Sequence, residues 1–488
     1  MLPAMIEETC KVHDKFSLEL KLAFIARKKL KLSDFSVNAW LFVPNSLDVN
    51  RATFTKRDIY RTIKSNIRLI TPVYILRDIA DQVKPPFQLL QQSFERMVSR
   101  PTRTHVADYE YHIRMFVSIV KSALREEIRH YRGTEAPGDQ DYLVEEFLHN
   151  LGSILQHYRS LRRVLNVPTV NGRLMDYYLF GDEYLSNLAE QHTYRLIEAA
   201  SSGRQGPAVQ KKLMTLVNSE IAYRVERGFA VVEKESPNRN RDLIFRLGLL
   251  KKYAESELFL NIDKRKDGIW LEQLYISIAA GLSMIFATAV AFSFQQKYGN
   301  LTMPFFVALV VSYMLKDRIK ELSRYFLIHR MGHRFFDHKT KVSLGDQHIG
   351  WSKEAVDFVS GSKVPAEVLR IRNRSAILEA DNRSNSEKVI LYRRLVRLRR
   401  EALDAISQHP VEGMNDIIRF NISPFLLNMD DPVFPLFSRD EKGGVRIVKG
   451  EKIYYLNLVL EFRNEAQHDY KRYRIAFNRK GIRELEQF

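Results

Sequence analysis

Cysteine is nearly absent from this chain, since Cys10 is the only one in 488 residues. A single thiol cannot form a disulfide within the chain or supply the sulfur ligands of a multi-cysteine zinc site. Motifs for phosphate-binding loops and serine hydrolases are also missing, because the glycines stand outside the required spacings. These absences exclude a disulfide-stapled domain and leave no motif that names an activity.

Charge of either sign is missing from Leu274 to Phe294 and again from Tyr298 to Leu315. A helix of the first length spans ~31 Å at 1.5 Å per residue, about the hydrocarbon thickness of a bilayer. The second run is shorter and carries Pro304 near its start, where proline is tolerated. We interpret Ile269 to Leu315 as a two-helix transmembrane hairpin. The alternative is a buried helical hairpin in a large soluble domain.

The flanks of this hairpin are basic, whereas its connecting turn offers only Lys297. Short loops rich in Lys and Arg stay cytoplasmic, so we expect an integral membrane protein with two spans and both termini in the cytoplasm. That membrane is the inner membrane if the protein is bacterial, and no signal peptide is expected. Anionic lipid headgroups are the expected partners of the flanking cations Lys264, Arg265, Lys266, Lys316, Arg318, Lys320 and Arg324.

Ionisable side chains are missing from the interior of both runs, and such groups mark most proton and ion paths. A transporter or a pump is therefore disfavoured. Small residues are present instead, at spacings that let two helix backbones approach closely: Ala279, Ser283, Ala287, Ala291, Ala308 and Ser312. This stripe predicts helix packing either within the hairpin or between chains, and we expect a homo-oligomer.

The formal net charge of +18 is unevenly distributed. Lys316 to Lys341 holds eight basic against three acidic residues, and Arg370 to Arg400 holds ten against three. The first segment would lie beside the membrane, where lipid headgroups account for its charge. The second could meet an acidic protein partner or the membrane, or could be a solvated face. Nucleic-acid binding is the least favoured of these interpretations.

Apolar periodicity separates the rest of the chain into strands at both ends and helices between them. Residues 15–24 alternate apolar and polar side chains, and a second run, residues 35–46, ends at Pro44 and Asn45 with turn-forming residues; we read the two as an antiparallel strand pair. Thr55 and Asp58 form a capping box ahead of a helix. Four long amphipathic helices follow, separated by turn-forming segments, and they predict an up-down-up-down bundle: Thr104 to Arg132, Asp141 to Leu165, Asp176 to Ala200, and Pro207 to Val232.

These patterns predict an α+β, mostly helical fold with a cytoplasmic helical bundle and the transmembrane hairpin. Terminal strands from both chain ends should meet in one sheet or sandwich, because an isolated hairpin is marginal in water. The expected segments are an N-terminal strand pair (1–50), a helical connector (51–103), a four-helix bundle-like domain (104–235), a membrane-proximal helix (241–268), the hairpin (269–315), a basic juxtamembrane helix (316–340), a loop-rich linker (341–385) and a C-terminal β-containing domain (386–488).

A Glu-x-x-His step occurs twice in the bundle, at Glu127 with His130 and at Glu146 with His149. This step places both groups on one helix face and is the spacing used by di-iron carboxylate bundles. The same step recurs at Glu465 in a predicted turn, so chance alone produces it. We favour helix-surface residues, and predict neither a metal nor a cofactor.

The sequence as a whole favours a membrane-anchored, cytoplasm-facing scaffold, adaptor or sensor without a recognisable catalytic site. One alternative is a membrane-bound metal-dependent enzyme with the bundle as its catalytic domain. A second alternative is an oligomeric pore built from the hairpins.

Overall fold

The computed structural model describes residues 6–134, 136–168, 170–201, 207–234, 236–299, 302–332, 336–373, 387–441, 444–464 and 467–488. The chain divides into two compact units. We call Met1–Ile67, Leu260–Ala402 and Gly413–Phe488 the sheet unit. Arg68–Phe259 with Leu403–Glu412 form the helical unit.

The strands of the described chain form antiparallel sheets. They are β1 (Ile6–Asp14), β2 (Ser17–Ile25), β3 (Leu32–Pro44), β4 (Ile63–Leu69), β5 (Asn261–Lys266), β6 (His338–Leu344), β7 (Gln347–Val359), β8 (Glu387–Arg399), β9 (Gly413–Asn421), β10 (Val433–Arg439), β11 (Val445–Glu451), β12 (Tyr454–Asn464), β13 (Gln467–Asn478) and β14 (Gly481–Gln487). The large sheet has the order β14-β13-β12-β3-β8-β7-β6-β5, a second sheet has the order β1-β2-β9-β4, and β10 pairs with β11 alone.

Strands from the two ends of the chain are neighbours in both sheets. β3 pairs with β12, so that Leu41 lies opposite Leu458. β2 pairs with β9, with Leu18 opposite Phe420. Because side chains alternate along a strand, each pairing brings apolar side chains from both chain ends together on a shared face of its sheet.

The predicted pairing of β2 with β3 is wrong, because the two strands belong to different sheets. β2 lies between β1 and β9, and β3 lies between β12 and β8. One face of each strand packs in a common core that includes Leu18 of β2 and Val43 of β3, and β3 also buries Trp40 and Phe42 on its other face. The period of two therefore identified the buried face of β2 but not its neighbour.

The helices of the described chain are α1 (Lys56–Thr62), α2 (Leu76–Ala80), α3 (Pro85–Ser99), α4 (Arg103–Gly133), α5 (Pro137–Ser160), α6 (Gly172–Ser201), α7 (Pro207–Arg227), α8 (Pro237–Glu255), α9 (Ile269–Tyr298), α10 (Met303–Gly332), α11 (Ala366–Arg372) and α12 (Arg400–Ile406). In the helical unit, α6 contacts α4, α5, α7 and α8. The stripe on α4 is buried, with Tyr109, Ile113 and Leu124 inaccessible to solvent. Helix α8 ends at Glu255, and β5 replaces the end of the predicted membrane-proximal helix.

The predicted two-helix transmembrane hairpin is wrong. Among the described residues, α9 alone is long and apolar enough to cross a membrane, over Glu272–Tyr298. The second charge-free run starts at Tyr298, the last residue of α9, and only Met303 to Leu315 of it belongs to α10 before Lys316 and Asp317. That helical part covers roughly 20 Å at ~1.5 Å per residue, short of the ~30 Å hydrocarbon core.

The predicted fold class and localisation are also wrong, because both included the two-helix hairpin. The chain is a mixed helix-and-sheet protein with large antiparallel sheets and one candidate membrane helix in its described part. A two-span integral membrane protein with both termini in the cytoplasm required a second span, and α10 does not provide it.

Candidate functional site at the base of α9

A cleft of about 530 Å³ opens in the sheet unit where α9 begins, and we call it the basal cleft. Its volume lies in the range of small-molecule sites. Its walls come from α1, from the turn between β5 and α9, from the first turns of α9, and from the start of β6. The lining residues are Lys56, Arg57, Tyr60, Lys266, Asp267, Gly268, Glu272, Tyr275, Phe336, Asp337 and His338.

Asp337 is the hub of the basal cleft. Its carboxylate accepts hydrogen bonds from Lys56 Nζ at 3.0 Å, from the Tyr60 hydroxyl at 2.9 Å, and from the Val356 N–H at 2.9 Å. Burial alone would raise the pKa of Asp337, but the Val356 N–H and the charge of Lys56 lower it below its ordinary value. The ionised carboxylate therefore ties α1 to β7 across the floor of the cleft.

The basal cleft has charges of both signs in balance. Three of its lining residues are Lys or Arg and three are Asp or Glu. Lys266 pairs with Glu272 at 2.6 Å, and Asp267 pairs with Lys353 at 2.7 Å. Arg57 is exposed on α1. A ligand with both an anionic and a cationic group could therefore exchange these internal ion pairs for contacts of its own.

A buried ionic network lies between the two sheets. Arg394 of β8 contacts Asp416 of β9 at 2.5 Å and Glu354 of β7 at 3.0 Å. The Tyr392 hydroxyl donates to Glu354 at 3.0 Å, and the Ser65 hydroxyl donates to Asp416 at 2.6 Å. Burial alone would raise the pKa of Glu354, but the charge of Arg394 and the bond from Lys264 lower it below its ordinary value.

The network continues from the interior of the sandwich to the basal cleft. Glu354 pairs with Lys264 of β5 and lies 3.6 Å from His338 of β6. The His338 ring stands edge-on to Tyr60, with the centroids 4.6 Å apart. Burial and the charge of Lys264 lower the pKa of His338, so its imidazole is neutral at pH 7. The cleft and the interior network thus form one polar system.

The structure places the predicted headgroup-contacting residues in three settings. Lys266 lines the basal cleft and Lys264 belongs to the interior network. Arg265 pairs with Asp263 at 2.8 Å on the outside of β5. On α10, Lys316 Nζ lies 4.2 Å from the centroid of the Tyr313 ring, and Arg318, Lys320 and Arg324 are exposed.

The small-residue stripe lies on the buried side of α9 and α10, which pack against each other. Ala279 and Ser283 are buried on α9, and Ala308 and Ser312 are buried on α10. Ala287 and Ala291 are half-buried. This packing is within one chain, and self-association between chains stays a prediction.

The Glu-x-x-His pairs of the helical unit come only partly together. Burial raises the pKa of Glu127, and the nearby charge of Glu146 raises it further. The nearby His130 lowers the pKa of Glu127, whereas His149 is exposed to solvent. Among the residues that the structure describes, no group of three or more His, Cys, Asp and Glu side chains could hold a metal ion.

Sequence reasoning missed most of the basal cleft. Its members are far apart in the chain, from Lys56 to His338, and no local spacing links them. Lys266 was identified from the basic flank of the apolar run, and Thr55 marked the start of α1, where Lys56, Arg57 and Tyr60 stand.

Comparison with known proteins adds little. No family model and no curated protein matches the chain. A cryo-EM structure of a de novo designed 16-helix transmembrane nanopore, TMHC8_R, matches 53% of this chain and 83% of its own, at 10% sequence identity and a TM-score of 0.22. A similarity at that TM-score carries no argument about fold or function.

Proposed function

We propose that this protein is a membrane-attached sensor or adaptor that uses α9 to hold the sheet unit at a lipid bilayer. The observation that carries the proposal is the exposure of α9. Its side chains are apolar over a length that matches a bilayer, yet most of them face solvent, including Trp270 at 89% and Ile285 at 67% exposed. Soluble proteins rarely expose apolar patches of more than a few hundred Å², and larger ones mark interaction sites.

The first turn of α9 supports a lipid rather than a protein as the covering partner. Trp270 stands at this end of the helix, and tryptophan is enriched at the boundary between hydrocarbon and headgroups. Basic residues precede it on β5, among them Lys264 and Lys266. Attraction of each cation to an anionic lipid surface contributes about 1 kcal/mol.

The basal cleft gives this attachment a sensing role. It lies where α9 begins, and a helix that enters a bilayer has its first turn at headgroup level. The balanced charges of Lys56, Asp337 and their neighbours suit a headgroup or soluble ligand that carries both signs. Exchange of the Lys56–Asp337 pair for ligand contacts would alter the tie between α1 and β7.

We do not propose either alternative function, the metal-dependent enzyme or the oligomeric pore. The described residues contain no metal-binding group of three, and this leaves the metal-dependent enzyme without a supporting observation. The pore required the two-span hairpin, which is overturned.

Flotation of the full-length protein with lipid vesicles tests the proposal. We expect the protein to float with vesicles that contain anionic lipid and to stay bound in high salt, because apolar burial is not screened by ions. The double variant Leu282→Lys with Ile285→Lys places two charges on the exposed face of α9 and should abolish flotation.

A matched control places the same charges on exposed apolar positions of α8, as Ile244→Lys with Phe245→Lys, where both side chains are about as exposed. This control should float like the wild type. A wild-type protein that stays in the aqueous fraction as an oligomer, and becomes monomeric in the α9 variant, would overturn membrane attachment in favour of self-association.

A further inference from the structure

An apolar cavity of about 90 Å³ lies between the two sheets of the sheet unit. Both sheets contribute to its wall, and so do α1 and the turn that follows β9. Leu20, Phe420 and Cys10 line it from the smaller sheet, and Leu41, Ile390 and Leu458 line it from the larger one. The cavity is therefore part of the interior of the sandwich.

Several side chains around this cavity are only partly buried although they lie on the inner faces of the sheets. Leu41 and Leu458 lie opposite each other on the inner face of the large sheet, and Phe420 lies on the inner face of the other sheet. All three are only partly buried, whereas neighbouring core residues outside the cavity, such as Leu456 and Phe477, are inaccessible. Protein interiors are normally packed as densely as organic crystals, so the sandwich leaves apolar surface uncovered here.

The chemistry of the wall excludes a polar occupant. The Tyr392 hydroxyl, the one oxygen among the lining side chains, is already bonded to Glu354 and Arg394. Burial raises the pKa of Cys10 to about 12, so its thiol is neutral. Water needs two to four polar partners to occupy a cavity, and apolar cavities without them stay dry.

We propose that this cavity binds a small uncharged hydrocarbon group. Its volume is below that of the ~150 Å³ apolar cavity known to take up benzene or xenon, so the group is no larger than benzene. Such a group can be a free hydrocarbon or the end of an acyl chain whose polar head stays outside. The proposal is independent of membrane attachment.

Cys10 makes the proposal directly measurable. It lines the cavity and is the only cysteine of the chain, so slow alkylation of the purified full-length protein by iodoacetamide at pH 9, where more of the thiol ionises, reports on this site alone. Benzene at ten times its dissociation constant should slow alkylation about tenfold and raise the unfolding temperature, because it binds the native state. If hexanoate also protects, the site accepts an acyl chain end, and if benzene alone protects, it accepts a free hydrocarbon. Neither protection nor a temperature shift with either probe would overturn the proposal.

A filling variant separates cavity binding from surface effects. Ala39→Val adds two carbon atoms to the wall of the cavity and should remove most of the protection by benzene. The control Val12→Ile adds a methyl group at an exposed position on the same strand as Cys10, and should behave like the wild type. Leu41→Phe is a second filling variant if Ala39→Val does not fold. Unchanged protection in a folded filling variant would contradict the proposed site.

Discussion

The strand β8 and the helix α10 are both basic, but they use their charge in opposite ways. Arg393, Arg394 and Arg397 of β8 reach carboxylates of the same unit at 2.8, 2.5 and 2.6 Å. On α10, Arg318 and Lys320 stay exposed. These three arginines have carboxylate partners within the chain, and the acidic protein partner expected for Arg370 to Arg400 stays a prediction.

This difference shows that a count of charges does not reveal what they bind. A buried arginine with buried carboxylates is part of the fold, and its removal leaves the acids without compensation. An exposed cation costs little to remove and is available to a surface outside the chain. The two segments should therefore respond differently to neutralisation, one in stability and the other in binding.

The largest expected effect is on Arg394. Substitution Arg394→Leu leaves Glu354 and Asp416 buried without their cation and should lower the free energy of unfolding by about 3–5 kcal/mol. Denaturant unfolding measures it. The control Arg318→Leu on α10 should stay within about 0.5 kcal/mol of the wild type. Equal losses in the two variants would remove the distinction between β8 and α10.

Neutralisation of α10 should weaken membrane binding and leave stability unchanged. The quadruple variant Lys316→Gln, Arg318→Gln, Lys320→Gln and Arg324→Gln is expected to lose about 1 kcal/mol of binding to anionic vesicles per residue. Vesicle co-sedimentation at several salt concentrations measures the loss. The matched control neutralises the exposed residues Lys28, Lys29, Lys211 and Lys251, and a similar loss there would show that net charge alone is responsible.

Arg397 tests whether burial or ion-pair geometry determines how much an arginine of β8 contributes to stability. Its guanidinium holds both oxygens of Asp34 at 2.6 Å, but the two side chains are 41% and 39% exposed. We expect Arg397→Leu to cost only about 0.2–1 kcal/mol in unfolding free energy. A double-mutant cycle with Asp34→Ala isolates the pair. A coupling free energy as large as the stability lost in Arg394→Leu would mean that the geometry of the ion pair, and not its burial, determines its strength.

The smallest expected effect is a change in the pH dependence of stability. The folded pKa of Glu354 is below its ordinary value, so its ionic contribution is present at neutral pH and is lost as the pH falls through that folded pKa. The midpoint of unfolding should therefore decrease as the pH is lowered from 7 to 3, and Glu354→Gln should reduce this dependence on pH. The exposed Glu484→Gln should keep the wild-type slope, and an identical slope in both variants would contradict this assignment.

The sequence predicted secondary-structure elements better than it predicted which strands lie next to each other. The capping box at Thr55 is present and α1 begins at Lys56, and the four long helices of the helical unit lie close to their predicted bounds. The helix after Thr55 nevertheless ends at Thr62, where β-branched residues begin β4. Strand neighbours could not be predicted, because alternation defines a buried face and contains no information about the adjacent strand.

The basal cleft was largely beyond sequence reasoning for a similar reason. Asp337 gains its role from Lys56 and Tyr60, which lie far earlier in the chain and contact it only through the tertiary fold. The first apolar run was recognised as a helix, but the second, Tyr298 to Leu315, was counted from the last residue of α9 and not from the start of α10 at Met303. Charge-free length and helical length differ wherever a turn is uncharged.

The order of strands in the large sheet has a consequence during synthesis. β3 pairs only with β8 and β12, and Pro44 leaves the ribosome long before Glu387 does. At ~5–20 residues per second, β3 waits roughly 20 to 70 s for its first neighbour. An unpaired strand with one apolar face is open to pairing with other chains. The nascent β3 thus needs protection until β8 has been made.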